Sequence, residues 1–263
     1  DLILGFLSHV EQDRGNTARS RNARFAAIRS FFRYLEYKVP ACLEQALAVR
    51  SLPMKKTDKA LIDYLTRDEM NALLAAPDCT TVAGLRDRAM LHLTYAAGLR
   101  VSELLALQMG DFSDRSLSTV RVLGKGRRER VLPLWKETQT VLRTWIAVRP
   151  SVQVQELFVN REGRPLSRDG FAHRLAVHVA AAARKKPTLA EKRVTPHVLR
   201  HSCAMHTLEA TGDIRKVSLW LGHASLQSTE AYKPHMLRQW SPNKSSLYNV
   251  IQNRRRAIRL AAN

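Results

Sequence analysis

The sequence predicts a mainly helical chain interrupted by one short β-hairpin. Three observations carry that expectation. Apolar residues recur at helical spacing through most of the 263 residues. Thr, Ser and Gly stand where such helices would start and stop. A single pair of short β runs flanks a glycine-rich turn. The length allows a proper core, built as one large domain or two small ones.

The charge balance narrows the partners. Lys and Arg total 43 against 23 Asp and Glu, for a formal charge of +20 and an isoelectric point near 10.7. Solubility needs far less than this, so the excess argues for a polyanion, and with no membrane-style segment the polyanion expected is nucleic acid. Cys42, Cys79 and Cys203 are odd in number and widely spaced. They point to a reducing compartment rather than a disulfide framework or zinc site. No apolar run approaches the ~20 residues of a membrane helix, and no signal peptide is visible. The chain starts at Asp1, so a fragment is expected.

Two helices are expected before Pro40. Leu4, Leu7 and Val10 form the apolar stripe of the first, which Gly15 stops. Thr17 caps the second, with Phe25, Ile28, Phe32 and Leu35 on one face and Arg19, Arg21, Arg24, Arg29 and Arg33 on the others. Such a helix can pack on a small core while its basic side lies along a DNA backbone. From Cys42 to Lys59 the chain carries Pro53, Lys55, Lys56 and Thr57 and reads as a basic linker. The domain division takes that linker as residues 53–63, after a first domain of 1–52.

A second domain is expected from Tyr64. Thr66 and Glu69 make a capping box for a helix that Pro77 ends. Leu85 to Ala97 forms the next helix, stopped by Gly98. Arg100 follows that stop, with Glu103 one turn further on. Val120–Leu123 and Arg130–Leu134 flank Gly124-Lys125-Gly126-Arg127-Arg128, the hairpin signature. Lys136 to Val148 is helical, with Val141, Leu142, Trp145 and Ile146 inward. Leu157-Phe158-Val159 is a short apolar run, and Ser167 caps a helix using Phe171, Leu175 and Val179. His173 and His178 have no metal-ligand constellation and read as surface or DNA-flanking.

The chemistry concentrates in Thr195–Tyr232. His197 and Arg200 share a helix face, followed directly by His201. Gly212 ends that helix, and Asp213 to Leu221 forms another, capped by Gly222. Trp220 is assigned to packing. His223 emerges past the helix end, Ser225 can cap a further helix, and that helix carries Tyr232. Arginine forks onto phosphate oxygens, histidine donates to them or relays a proton, and tyrosine can be a nucleophile. Phosphoryl chemistry fits the set.

His197-x-x-Arg200-His201, then Leu221-Gly222-His223, then Tyr232 resemble the tyrosine recombinases, the integrase family that includes phage integrases and Xer-type resolvases. The resemblance covers nearly the whole chain. It implies a mainly α fold with a small antiparallel β-sheet, as a catalytic domain (64–242) preceded by a partial helical core-binding domain. The first half of that core-binding domain is expected to be missing. It implies that Arg100 and Arg200 hold the scissile phosphate and that Glu103 buttresses them, with His201 supporting. Lys125 would protonate the departing 5′ oxygen, His197 would assist proton movement at the tyrosine, and His223 would donate to a non-bridging oxygen. Tyr232 would attack DNA to give a 3′-phosphotyrosyl link.

Arg121, Arg127, Arg128 and Arg130 on the hairpin, with Lys55 and Lys56 on the linker, are assigned to DNA backbone contacts. The partners implied are double-stranded DNA and a homotetramer on two sites, in a cytoplasmic, nucleoid-associated protein of bacterial, phage or mobile-element origin. Residues 243–263 carry Leu247, Val250 and Ile251 at helical spacing, a tail expected to dock on a neighbouring protomer. No cofactor or metal is expected, since no G-x-G-x-x-G, P-loop, zinc motif or two-metal carboxylate cluster occurs. The alternatives are a type IB topoisomerase-like relaxer and a non-enzymatic basic DNA-binding protein.

Overall fold

The computed structural model describes residues 2–57, 63–112, 116–124, 128–223, 229 and 232. Lys125, Arg127, the helix expected from Ser225 and the tail 243–263 lie outside the described residues. The chain divides into two compact units, Asp1–Ala60 and Leu61–Asn263.

In the first unit, α1 (Leu2–Gln12) and α2 (Ala18–Lys38) are followed by a 3-10 turn (Pro40–Cys42) and α3 (Leu43–Ser51). Thr17 caps α2 by accepting from the Ser20 N–H. Leu7, Val10, Phe25 and Ala46 are the buried apolar residues. Two expectations change here. Residues 43–51 are helical rather than linker, because Pro40 starts a turn that leads straight into a segment of good helix formers. Leu4 is 47 % exposed instead of sharing the core with Leu7 and Val10. With Phe6 and Phe31 it leaves an apolar face on this unit.

The second unit opens with α4 (Arg67–Leu74), where Thr66 and Glu69 form the expected reciprocal capping box. α5 (Val82–Ala96) starts earlier than Leu85, because Thr81 caps it through the Gly84 N–H. α6 (Val101–Leu105) follows, then the antiparallel pair β1 (Thr119–Leu123) and β2 (Glu129–Pro133), in which Val122 faces Arg130. Beyond it run α7 (Lys136–Val148), α8 (Arg168–Ala183), α9 (Pro196–Thr211) and α10 (Ile214–Leu221).

α5 packs on both α7 and α9. The central position suits its sequence: Ala89, Met90, Leu91, Leu93 and Ala96 are buried around more than one face. One buried cluster runs from Leu65 through Leu221 and takes in Tyr232. Trp220 packs against it and donates its indole N–H to the Ala96 carbonyl. His178 is the correction in this unit. It is 4 % exposed and its Nε2 lies 2.8 Å from Asp87 Oδ2, so it belongs to the packing and not to the surface. Among the described residues no helix is long and apolar enough to cross a membrane.

Candidate active site

Gly98 sets the geometry. Its φ of +58° turns the chain sharply after α5, and a Cβ there would sit 2.5 Å from a Leu221 methyl. The close turn makes Arg100 the N-cap of α6, so Glu103 in the first turn can reach back to it. Glu103 accepts from the Arg100 backbone N–H at 3.0 Å and from Arg100 Nη1 at 2.6 Å. Arg130, projecting inward from β2, forks onto the same carboxylate at 2.8 and 3.3 Å. Arg200 Nη1 stands 3.8 Å from Glu103 Oε2 and donates instead to the Gly98 carbonyl, while its Nη2 donates to the Leu221 carbonyl at 2.7 Å.

One carboxylate thus organises three guanidiniums. Burial alone would raise the Glu103 carboxyl, but the Arg130 hydrogen bond, the Arg100 N–H and the two positive charges outweigh it and hold the pKa below the usual range. Arg200 is 4 % exposed; burial, followed by repulsion from Arg100, pushes it down to about 10, so it stays charged at neutral pH. The Arg100 side chain is 33 % exposed, which leaves it free to meet a phosphate.

The nucleophile candidate sits beside this cluster. Tyr232 is 2 % exposed, and its hydroxyl lies 2.7 Å from His201 Nδ1. Burial, then the nearby His197 and Arg200, lowers His201 to about 4, so the imidazole is neutral, and in the tautomer protonated at Nε2 its Nδ1 accepts the tyrosine O–H. Burial also lifts the Tyr232 phenol to about 12, against the opposing pull of Arg200 and Arg100. His223 Nδ1 is hydrogen-bonded to Thr229 Oγ1 at 2.8 Å. Burial, and then Arg200 and Arg100, lowers His223 to about 4. Arg100, Arg200, His201, His223 and Tyr232 are thus close enough for their charges to act on one another.

The sequence pattern of the phage integrase family matches residues 63–239. The chain belongs to the phage integrase family. Its curated relatives include y4rC of Sinorhizobium fredii, 41 % identical over 231 residues that make up 88 % of this chain and 70 % of that protein. The tyrosine recombinase XerD of Listeria monocytogenes is 36 % identical over 236 residues, 88 % of this chain and 76 % of the relative. The tyrosine recombinase XerC of Myxococcus xanthus is 36 % identical over 238 residues, 88 % and 75 % of the two chains. Among solved structures, the XerH site-specific recombinase bound to palindromic difH substrate superposes with a TM-score of 0.72 at 20 % identity, covering 95 % of this chain and 70 % of that one. That likeness shows the mainly α tyrosine-recombinase fold with its small antiparallel sheet.

In this member of the family, Arg100, Glu103, Arg200, His201, His223 and Tyr232 come together, and Arg130 joins them. Lys125 and Arg127 lie outside the described residues. His197 is exposed on α9, and His201 rather than His197 touches the tyrosine. Arg121 and Arg128 are exposed on the hairpin, with Arg121 3.3 Å from Asp111. In the first unit, Arg19, Arg24 and Lys56 are exposed, and Lys55 pairs with Glu11 at 2.6 Å. Arg29 is half-buried over the Phe25 ring.

Two assignments to DNA backbone change. Arg21 is 8 % exposed, lying over Phe25 and 3.7 Å from Glu11, because the α2 face that buries Phe25 also takes the residue one turn earlier. The Arg130 side chain is 10 % exposed and committed to Glu103. A signal for Arg130 was present in the alternation of the strand. Arg130, Leu132 and Leu134 share one face, and both leucines are buried. Assigning the hairpin arginines together to the DNA backbone passes over that parity.

Proposed function

We propose that the chain is a site-specific DNA recombinase that cleaves and rejoins strands through Tyr232. The observation that carries this reading is a buried tyrosine hydroxyl, 2.7 Å from a neutral imidazole, beside arginines gathered on one carboxylate. In the forward step a bond forms between Tyr232 Oη and the scissile phosphorus, and the bond from phosphorus to the 5′ oxygen breaks. The phenol proton passes to His201 Nδ1, 2.7 Å from the hydroxyl, in the tautomer that carries its own proton on Nε2. The 5′ oxygen takes up a proton, for which Lys125 is the donor expected from the family. Arg100 and Arg200 stabilise the added charge of the pentacovalent transition state, and His223 donates to a non-bridging oxygen. Rejoining reverses these steps, and the retained phosphotyrosyl bond supplies its energy.

In the described state the phenol is protonated and shielded, with its pKa at about 12. The proton therefore leaves as the bond to phosphorus forms, with His201 Nδ1 beside the hydroxyl at 2.7 Å. Double-stranded DNA is the substrate this reading requires. Pairing of two sites by a homotetramer, docking of the 243–263 tail in trans, the division at 52, 63 and 242, and a cytoplasmic location where the DNA is held complete the proposal. The basic surface and the Xer-type relatives support it.

A nicked suicide substrate that loses its 5′ fragment after cleavage tests the reaction. The chain should form a covalent protein–DNA adduct, and Tyr232→Phe should bind the same DNA without forming one. Adduct from the Phe variant would name another nucleophile, and no adduct from the unaltered chain on any captured site would end the enzymatic reading. Exchange between two sites, rather than relaxation of one plasmid, separates recombination from topoisomerase activity.

A further inference from the structure

Arg130 is built into the site more deeply than any contact with DNA requires. Its guanidinium fills both oxygens of Glu103, and its Nε is buried with no hydrogen-bond partner. It also touches two backbone turns. A Cβ on Gly222, in its left-handed conformation, would lie 3.0 Å from Arg130 Nη1 and 3.1 Å from Cδ, so the Gly222–His223 turn rests directly on this side chain. A Cβ on Gly124, the residue after β1, would lie 3.5 Å from Arg130 Nη1 and 3.7 Å from Glu103 Oε1.

Charge gives the placement a consequence. A phosphodiester carries one negative charge, and its pentacovalent transition state approaches two. Arg100, Arg130 and Arg200 lie within 4 Å of Glu103, so three positive charges less one negative leave two. With the Arg130 side chain 10 % exposed, it is not itself the group that meets a phosphate. Remove its charge and only Arg100 and Arg200 offset Glu103, leaving a surplus of one against a transition state of two.

We infer that Arg130 is a positioning residue for strand cleavage. By adding a third positive charge around Glu103 it leaves the cluster a net surplus of two for the phosphate, and it seats the turn that presents His223. The inference rests on the cleavage reading above. It adds a third arginine whose effect depends on the charge of the substrate although it never touches the substrate.

That dependence is the test. Single-turnover adduct formation is measured with unaltered protein, Arg130→Gln and Arg130→Lys. Two suicide substrates are used, one with a normal scissile phosphate and one with a neutral methylphosphonate there. On the normal phosphate Arg130→Gln should be slower by about 10²-fold or more, the scale of losing one preorganised electrostatic group. On the methylphosphonate, whose transition state carries one charge fewer, the same variant should come within about tenfold of unaltered protein if only that electrostatic deficit is removed.

An equal deficit on both substrates would make Arg130 a packing residue only and overturn the inference. So would an unimpaired rate on the normal phosphate. If Arg130→Gln does not fold, Arg130→Lys decides. It keeps the charge and loses the fork, so an electrostatic role predicts a loss of about tenfold or less on both substrates; a large equal loss on both overturns the inference. Failure of the unaltered protein to form adduct would instead count against the cleavage reading itself.

Discussion

Two buried carboxylates among the described residues of the second unit are bound by guanidiniums, and only one of them stands beside the candidate site. Asp87, 1 % exposed, takes Arg86 at 2.8 and 3.0 Å, Arg174 at 2.5 Å and His178 at 2.8 Å. Arg86 spends a further donor on the Val159 carbonyl at 3.0 Å. The result ties α5 to α8 and to the apolar run at Leu157–Val159. Glu103 takes Arg100 and Arg130 in the same way and is held low for the same reason, hydrogen bonds and cations outweighing burial in both.

The difference lies in what stands beyond the carboxylate. Asp87 is surrounded by groups that lead into packing. Around Glu103 a third arginine stays 3.8 Å away with its donors on backbone carbonyls, and His201, His223 and Tyr232 converge from the next segments. A buried ion pair is therefore no sign of a site by itself. Surplus cation held in place beside a buried tyrosine hydroxyl is what sets the Glu103 cluster apart.

The largest effect should come from breaking the open cluster. Arg200→Ala should slow adduct formation by about 10³-fold or more, since a phosphate charge left uncompensated at the barrier costs several kcal/mol. Single-turnover cleavage at saturating protein reads this directly. A normal rate would make the Glu103 cluster as structural as that of Asp87.

The mirror experiment acts on the closed cluster. Asp87→Asn should cost about 3 kcal/mol of stability or more, because it leaves buried cations without their counter-charge. The adduct rate per folded molecule should stay within about twofold if the two sites are independent. Chemical denaturation measures the first quantity and active-site titration the second. A rate that fell with stability held permissive would join the two clusters into one functional unit.

The same contrast explains what the sequence makes legible. The Thr66–Glu69 capping box, the Thr17 and Ser167 caps and the Gly212 and Gly222 stops are local, so residues within a few positions decide them. The motif from His197 to Tyr232 is equally readable as a pattern. Asp87 meeting His178 and Glu103 meeting Arg130 are contacts across 91 and 27 positions, fixed by packing rather than by spacing. His201 reaching Tyr232 ahead of His197 is also a matter of helix rotation, which the order of letters leaves open. The α3 segment was obscured by the basic run after it, whose charge says nothing about the nine residues Leu43–Ser51.

Acid should separate the buried histidines from the carboxylates. His92, His201 and His223 are each lowered to about 4, burial being the main cause in all three, against about 6.5 when unfolded. The unfolded chain then binds more protons across that window, so stability is fully present above pH 6.5 and is lost as pH falls towards 4. Glu69, held at about 2 by Lys192, Thr188 and the Thr66 N–H despite burial, contributes above about 4.5 and is lost as pH falls through 2. His201→Gln should reduce the slope between pH 6.5 and 4 and leave the lower limb unchanged. Denaturation at stepped pH reads both limbs, and an unaltered upper slope would mean that His201 is not held neutral by the fold.

The smallest effect expected concerns Arg121, which offers the sharpest contrast with Arg130 on the paired strand. The residue faces outward, where Arg130 faces inward, because Arg121 follows buried Val120 and precedes buried Val122. The Arg121 side chain is 54 % exposed, 3.3 Å from Asp111 and 4.0 Å from Glu129. Exposed pairs of this kind contribute little, so Arg121→Ala should change stability by less than about 1 kcal/mol. If Arg121 contacts a phosphate, the variant should bind all DNA sequences somewhat more weakly, and the slope of log affinity against log salt should fall by about one. Cleavage of bound DNA should remain unchanged, since no catalytic group depends on it. Titrations at three or more salt concentrations decide the point. An unchanged slope would leave Arg121 paired to its two acids and off the DNA, while a loss of cleavage without loss of binding would place it with Arg130, on the inside.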